Sequence, residues 1–259
     1  MKSTFITLII LTIIVPPFLL QAQIGNKIPV ERLPDGSTAA WQVAGCPFLD
    51  DPVTVEALFN VKDLGASGNG ISDDTEFILQ AIDLAQEQSS LGNFSMIYFP
   101  EGTYKIKQGL SLPSKTVLKG QGSELSVLYF EHDGHALVFE NTIEGGLEDI
   151  RLARKTTNTL SKYFVRMSGA ENCWIRGVES FMANSNHFSL VESEHVLISG
   201  CYIHECTDHG GGGNGYGIVL GNETSAALIE DNIFRETRHA IVTGGLFNRK
   251  VVGDNASYD

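Results

Sequence analysis

Residues 204–209, His204-Glu205-Cys206-Thr207-Asp208-His209, run into the glycine-rich stretch Gly210-Gly211-Gly212-Gly213-Asn214-Gly215-Tyr216-Gly217. The chain reads Arg235-Glu236-Thr237-Arg238-His239 starting 31 residues after His204. If one turn of a repeating structure takes 31 residues here, and the extra ones follow His209, four pairs stack. His204 falls beside Arg235, Glu205 beside Glu236, Thr207 beside Arg238 and Asp208 beside His239. The candidate site is then His204, Asp208, His209, Arg235, Arg238 and His239, with Tyr216 on the glycine-rich loop. Guanidinium forks grip a carboxylate bidentately. Imidazoles and a phenol accept and donate protons. Asp208 either orients His239 or holds a cation such as Ca2+. The pattern calls for no organic cofactor. The plain alternative is a solvated ion-pair network beside a turn. Four consecutive glycines weigh against it, because ordering so free a segment is costly.

The elements that would position these residues come from a degenerate repeat. Segments 165–178, 189–201, 218–232 and 241–255 each read as an apolar strand, a polar turn and a second apolar strand. Ile175, Ile198, Ile229 and Val252 mark equivalent points, spaced by 23, 31 and 23 residues. A period in the low twenties with short strands indicates an all-β solenoid, a parallel β-helix. Equivalent residues on adjacent coils then lie about 4.8 Å apart. Asp231-Asn232 and Asp254-Asn255 repeat at one turn, as a structural asparagine ladder would. Earlier strands are expected at 96–99, 116–118, 127–130, 136–139 and 147–152. Upstream, 60–66 reads as a strand and Gly68-Asn69-Gly70 as a turn. Asp73 or Asp74 then caps a helix whose Ile78, Ala81, Ile82 and Ala85 form one apolar stripe. Laid across the solenoid end, that helix would be its N-terminal cap.

Asp63, Gly65-Ala66, the Gly-rich turn and Asp73-Asp74-Thr75, followed by Phe99-Pro100-Glu101-Gly102-Thr103-Tyr104, carry a resemblance. They resemble the N-terminal motif and the next signature of the pectate-lyase-like superfamily. The resemblance covers about residues 57–255 and implies a right-handed parallel β-helix. The superfamily includes polysaccharide lyases, glycoside hydrolases, epimerases, phage tailspikes and non-catalytic adhesins, so fold does not choose the activity. In it, residues such as Asp63, Asp73 and Asp74 shape the turn and cap. The polygalacturonase set of Asn-Thr-Asp, Asp-Asp, Gly-His-Gly and Arg-Ile-Lys has no full counterpart. Asp208-His209-Gly210 is the nearest approach, and Asn248-Arg249-Lys250 stands in a different setting. The expected substrate is an extracellular polysaccharide containing uronate. Lyase-type β-elimination there needs a cation for the carboxylate (Arg235 or Arg238), a base (His239 or His204) and an acid (Tyr216 or His209). Hydrolysis needs two carboxylates flanking one bond; Asp208 with Glu205 or Glu236 are the candidates, but Glu205 and Glu236 would stack as one ladder. A glycoside hydrolase and a carbohydrate-binding adhesin are the alternatives.

The 31 acids against 18 bases give a formal charge of −13. That argues against nucleic acid or an anionic membrane as partner. Residues 1–22 read as a signal peptide, with an apolar run from Phe5 to Leu20 ending at Pro- and Gln-containing sequence. The mature protein is therefore expected to be secreted and monomeric. Residues 23–58 read as an irregular lead-in packed on the domain, and 59–259 as the β-helix. The repeat stops inside a coil at Asp259, so further coils are expected in a longer chain. Cys46, Cys173, Cys201 and Cys206 lack metal-site spacing and read as buried free thiols. Cys201 shares an inward strand-end position with Val178 and Asn232. His187 and His195 read as turn residues, and His132 and His135 as flanking a tight turn. Asn184 and Asn186 either line the groove or make a turn. Arg151, Arg154, Lys155 and Lys162 read as a local basic patch on a solvated face.

Overall fold

The computed structural model describes residues 44–155, 163–206, 214–244, 250–252 and 255–258. Among them the strands form three sheets of eight, eight and six, every pairing parallel. The first sheet runs from Ala57–Asn60 to Lys250–Val252. The second runs from Asn69–Asp73 to Ala256–Tyr258, and the third from Leu110–Ser111 to His239–Thr243. One coil takes a strand from each sheet in turn, as in Trp174–Arg176, Glu179–Ala183 and Asn186–Val191. The architecture is a right-handed parallel β-helix.

The repeat works because each coil returns each side chain to its own row, whatever the length of its turns. On the first sheet Ile97, Leu118, Leu147, Ile175, Ile198 and Ile229 stack in register, all with no exposure. The third sheet stacks Leu110, Leu137, Val165, Phe188 and Ile218 in the same way. Each such burial stabilises the fold by about 1.5–3 kcal/mol. Corners between sheets fall at single left-handed residues. Asp149, Gly177, Gly200 and Asp231 have φ of 52°, 60°, 63° and 55° at one corner. Glycine or a short polar residue suits that conformation. The asparagine ladder is present. Asn232 Nδ2 donates to Asn255 Oδ1 at 3.0 Å, and Asn232 Oδ1 accepts the Cys201 N–H at 3.0 Å. Cys201 and Val178 occupy the same position one and two coils below, and both are buried.

The helix spans Thr75–Ser90 and packs on strands Ala57–Asn60 and Ser95–Phe99. Its stripe of Ile78, Ala81, Ile82 and Ala85 joins the main core at that end, where a cap is needed. The two acids divide the labour. Asp74 takes the Ser67 and Gly68 N–H groups at 2.6 and 3.2 Å, fixing the glycine turn. Asp73 takes the Thr75 N–H and hydroxyl at 3.1 and 2.5 Å. The strand expected at 60–66 ends at Asn60, and Asn69–Asp73, read as turn, is a strand. Gly68, Gly70 and the bulged pairing with Gly102–Ile106 hide its alternation. Among the described residues no helix is long and apolar enough to cross a membrane.

From residue 44 the lead-in straps the outside of the first sheet. Gly45 N donates to Ala226 O at 2.8 Å, and Glu56 Oε2 accepts the Phe94 N–H at 2.6 Å. Between these ends Phe48 stacks on Phe94 and Trp174, with centroids 5.7 and 5.8 Å away. Cys46, Leu49 and Val117 complete this small second core. Beside it the Glu148 carboxylate accepts the Trp174 indole N–H at 2.7 Å and pairs with Lys119 and Arg176. Burial alone would raise the Glu148 carboxyl, but the two cations outweigh it and hold it below the usual carboxylate range. All four cysteines are free and buried. Burial pushes the thiols of Cys46, Cys173 and Cys201 up to about 12, so they are unreactive at neutral pH.

Candidate functional site

With the first sheet strapped, the chemistry-bearing side chains gather on the second sheet and at the start of the third. On the second sheet His204 pairs in register with Phe181 on one side and Arg235 on the other. The 31-residue turn therefore aligns His204 with Arg235 as expected. Glu205 and Glu236 also occupy equivalent bends, both left-handed, with φ of 58° and 49°.

His204 is only 6 % exposed, which decides what it can do. Tyr202 stacks on its ring at 3.9 Å with an 11° interplanar angle, and Phe181 lies 5.1 Å away. Its Nε2 meets Glu179 Oε1 at 3.0 Å, and Glu179 also pairs with Arg151 at 3.4 Å. Arg151 in turn lies 4.7 Å over the Phe181 ring. Arg235 is exposed and bonds the Tyr202 side chain, with Glu236 Oε1 at 2.8 Å. Those partners, Tyr202 first, hold its guanidinium above the ordinary arginine value. This face is a tied network of aromatic rings and ion pairs. Glu179, Phe181 and Tyr202 were missed in the sequence, although the 23-residue spacing of Glu179 and Tyr202 marks one row.

The second group lies at the start of the third sheet. Tyr216 pairs in register with His239, and their rings are 5.3 Å apart. The Arg238 guanidinium sits 5.8 Å over the Tyr216 ring. His239 and Arg238 are exposed and Tyr216 is half-buried, so this patch is open to a ligand. The expected stacking of Asp208 on His239 is corrected here. His239 is registered on Tyr216, 23 residues before it, because the extra residues lie between Cys206 and Tyr216 and the regular period resumes at Tyr216. Asp208 and His209 lie outside the described residues. Of the five predicted residues within the described part, His204 and Arg235 lie on the second sheet, and Tyr216, Arg238 and His239 at the start of the third.

Two further expectations change. His187, read as a turn residue, lies within strand Asn186–Val191 and is fully buried in the lumen. Its Nδ1 and the Ser180 hydroxyl are 2.8 Å apart. Burial first, and His204 second, push its imidazole down to about 3, so it is neutral at working pH. His195 is a turn residue as expected, with φ 54°. The basic patch separates. Arg151 faces out, whereas Arg154 is buried with its Nη2 donating to Gly134 O at 2.7 Å. Burial pushes the Arg154 guanidinium down to about 10. Lys155 pairs with Glu131 at 3.5 Å, and Lys162 lies outside the described residues.

A family described as rhamnogalacturonase A/epimerase, pectate lyase-like, matches residues 58–258. The pre-neck appendage protein of Bacillus phage phi29 is 29% identical over 188 residues, covering 70% of this chain and 20% of that protein. The chain thus spans about a fifth of the length of the phage relatives it matches. Among solved structures, the A-module of the Azotobacter vinelandii mannuronan C-5 epimerase AlgE6 has a TM-score of 0.60 at 21% identity. It covers 77% of this chain and 56% of that one. A Thermotoga maritima exopolygalacturonase has a TM-score of 0.58 at 13% identity, covering 79% and 67%. At these identities the two structures show the fold.

Proposed function

This chain belongs to the rhamnogalacturonase A/epimerase, pectate lyase-like family, and on that premise we propose that it modifies a uronate-containing polysaccharide by lyase-type β-elimination at Arg238, Tyr216 and His239. The observation that carries this reading is the open pair of Tyr216 and His239 beside the exposed Arg238. Arg238 offers two parallel N–H donors to the uronate carboxylate, and its charge acidifies the C5 proton. His239 takes that proton as the general base. The C4–O4 bond breaks as the C4=C5 double bond forms, and the Tyr216 hydroxyl protonates the departing oxygen. A proton passing from His239 to Tyr216 restores both groups, and no water is consumed. His204, covered by Tyr202 and Phe181, supports this face instead of acting as the base.

Hydrolysis is the weaker reading for a geometric reason. Glu205 and Glu236 sit at equivalent bends of adjacent coils, one above the other, and Glu179 is committed to Arg151 and His204. A hydrolase needs two carboxylates on opposite sides of the scissile bond, which a single stacked row and an acid already committed to two cations favour less. We place the protein outside the cell, with residues 1–22 removed.

The test is incubation with pectate, alginate and related uronans, following the ultraviolet absorbance of the unsaturated end. Wild-type protein should generate it, and His239→Ala should lose it. New reducing ends without unsaturation would turn the reading to hydrolysis, and inverted C5 centres without chain cleavage would turn it to epimerisation. Retained binding without any product would make the protein an adhesin. Full activity in His239→Ala would overturn the site.

A further inference from the structure

We infer that the corner Asn184-Ser185-Asn186 is the clamp that positions Tyr216, and through it the Tyr216 and His239 patch; the catalytic part of this inference rests on the function proposed above. Asn184 and Ser185 join Glu179–Ala183 to Asn186–Val191, whose first residue is Asn186, one coil before the long connection. In the next coil Tyr202–Cys206 and Tyr216–Leu220 are separated by residues 207–215, against only 236–238 in the coil after. So long a connection does not by itself return the chain to a defined point, because its closed conformations are many. Something must set where the third sheet restarts.

Both ends of the connection are tied to the same corner. At the departing end the Cys206 thiol donates to Ser185 O at 2.6 Å and lies 3.4 Å from Ala183 O. At the returning end Gly215 N donates to the same Ser185 O at 2.8 Å. The Ser185 hydroxyl donates to Asn214 Oδ1 at 2.6 Å, and Tyr216 N donates to Asn186 Oδ1 at 2.8 Å. The constraint then passes upward, since Arg238 N donates to Gly215 O at 2.6 Å. The residue that carries the cation and the residue that carries the phenol are thereby held to one corner.

The corner is built for this. Asn184, Ser185 and Asn186 are 1, 0 and 2 % exposed. Polar side chains this deeply buried are stable only when their bonds are made. A turn needing polarity alone would leave such side chains in water. Here the Asn186 amide oxygen and Ser185 hydroxyl are spent on the returning strand. The Asn186 and Ser185 bonds described here go to the Tyr216 backbone N–H and to Asn214, so the two act as positioning residues.

The experiment removes one acceptor and one donor separately. Asn186→Ala takes the acceptor from the Tyr216 amide, and Ser185→Ala takes the donor from Asn214. In Asn186→Ala, hydrogen exchange at the Tyr216 amide should quicken about tenfold or more, as expected for an amide that loses its partner. The amides of Ile175 and Ile198 in the core should keep wild-type protection. Against a uronan that the wild type cleaves, kcat should fall about 100-fold, the loss typical of a 1 Å misplacement, with KM little changed. Asn186→Asp and Ser185→Thr retain the acceptor and the donor and should restore the Tyr216 protection. Unchanged Tyr216 exchange in both alanine variants would overturn the clamp. If Asn186→Ala fails to fold, Ser185→Ala, which deletes a single hydroxyl, carries the same test. Loss of activity in His239→Ala beside full activity in Asn186→Ala would sink the positioning role while leaving the proposed function standing. A wild type inactive on every uronan would sink that function, and amide exchange would still decide the clamp.

Discussion

Acidification should destabilise this protein through His187. The imidazole is fully buried, faces Ser180 across 2.8 Å, and is held down to about 3, by burial first and by His204 second. In the unfolded chain a histidine titrates near about 6.5. Between those values the unfolded chain binds a proton that the folded chain refuses. The unfolded state therefore binds more protons as pH falls, and stability falls with it. The contribution is complete above about 6.5 and is lost progressively below, with a slope of about 1.4 kcal/mol per pH unit. From pH 7 to pH 5 the loss is about 2 kcal/mol. The assay is urea unfolding of wild type and His187→Gln at several values between pH 5 and 7. Glutamine fills much of the site, can still bond Ser180, and does not titrate. Its absolute stability will differ, so the slope is the diagnostic. Wild type should lose about one proton's worth of slope more than the variant over this range. Identical slopes would refute the reasoning, since all other titrating groups are common to both proteins.

Three further outcomes follow from the packing. Asn232→Ala should cost about 1–3 kcal/mol, because it strands the Cys201 N–H and removes the donor to Ile198 O; urea or thermal unfolding reads it. Phe48→Ala should loosen the strap, cost about 1–2 kcal/mol and shift Trp174 fluorescence towards that of an exposed indole, with the β-helix otherwise intact. Glu148→Gln should cost about 3–5 kcal/mol by taking the buried counter-charge from Arg176 and leaving Lys119 only the more exposed Asp149. Because the Glu148 carboxyl is held below its ordinary value, its contribution is present above about pH 4.5 and fades as pH falls through the folded value. The variant should lack that acid-side decline.

The rows of the β-helix were legible because each coil returns its side chains to the preceding coil's rows, even where a turn is lengthened. Ile175, Ile198 and Ile229 could be aligned by counting, and so could His204 with Arg235 and Asn232 with Asn255. The helix stripe was legible for the same periodic reason, and the acids at 73 and 74 because backbone N–H groups at a turn need acceptors. Counting failed at the long connection. A period says how many residues are extra and not where they leave the repeat, so Asp208 was aligned with His239 where Tyr216 belongs. It also failed for His187, whose polarity suggests a surface turn until the lumen neighbour Phe164 and the partner Ser180 are in place.

What the amino-acid sequence alone determined is therefore what is local or periodic: a parallel β-helix, its inward rows, its capping helix and the level of its long turn. What only the tertiary structure decided is which residues share an environment once the coils close. The strap over Trp174 masks one sheet, Tyr202 and Phe181 cover His204, and the corner at Ser185 and Asn186 holds both ends of the long connection. These contacts join residues of different coils or of unrelated segments through burial and directed hydrogen bonds. Burial and bond geometry are properties of three-dimensional closure, and no spacing along the chain encodes them.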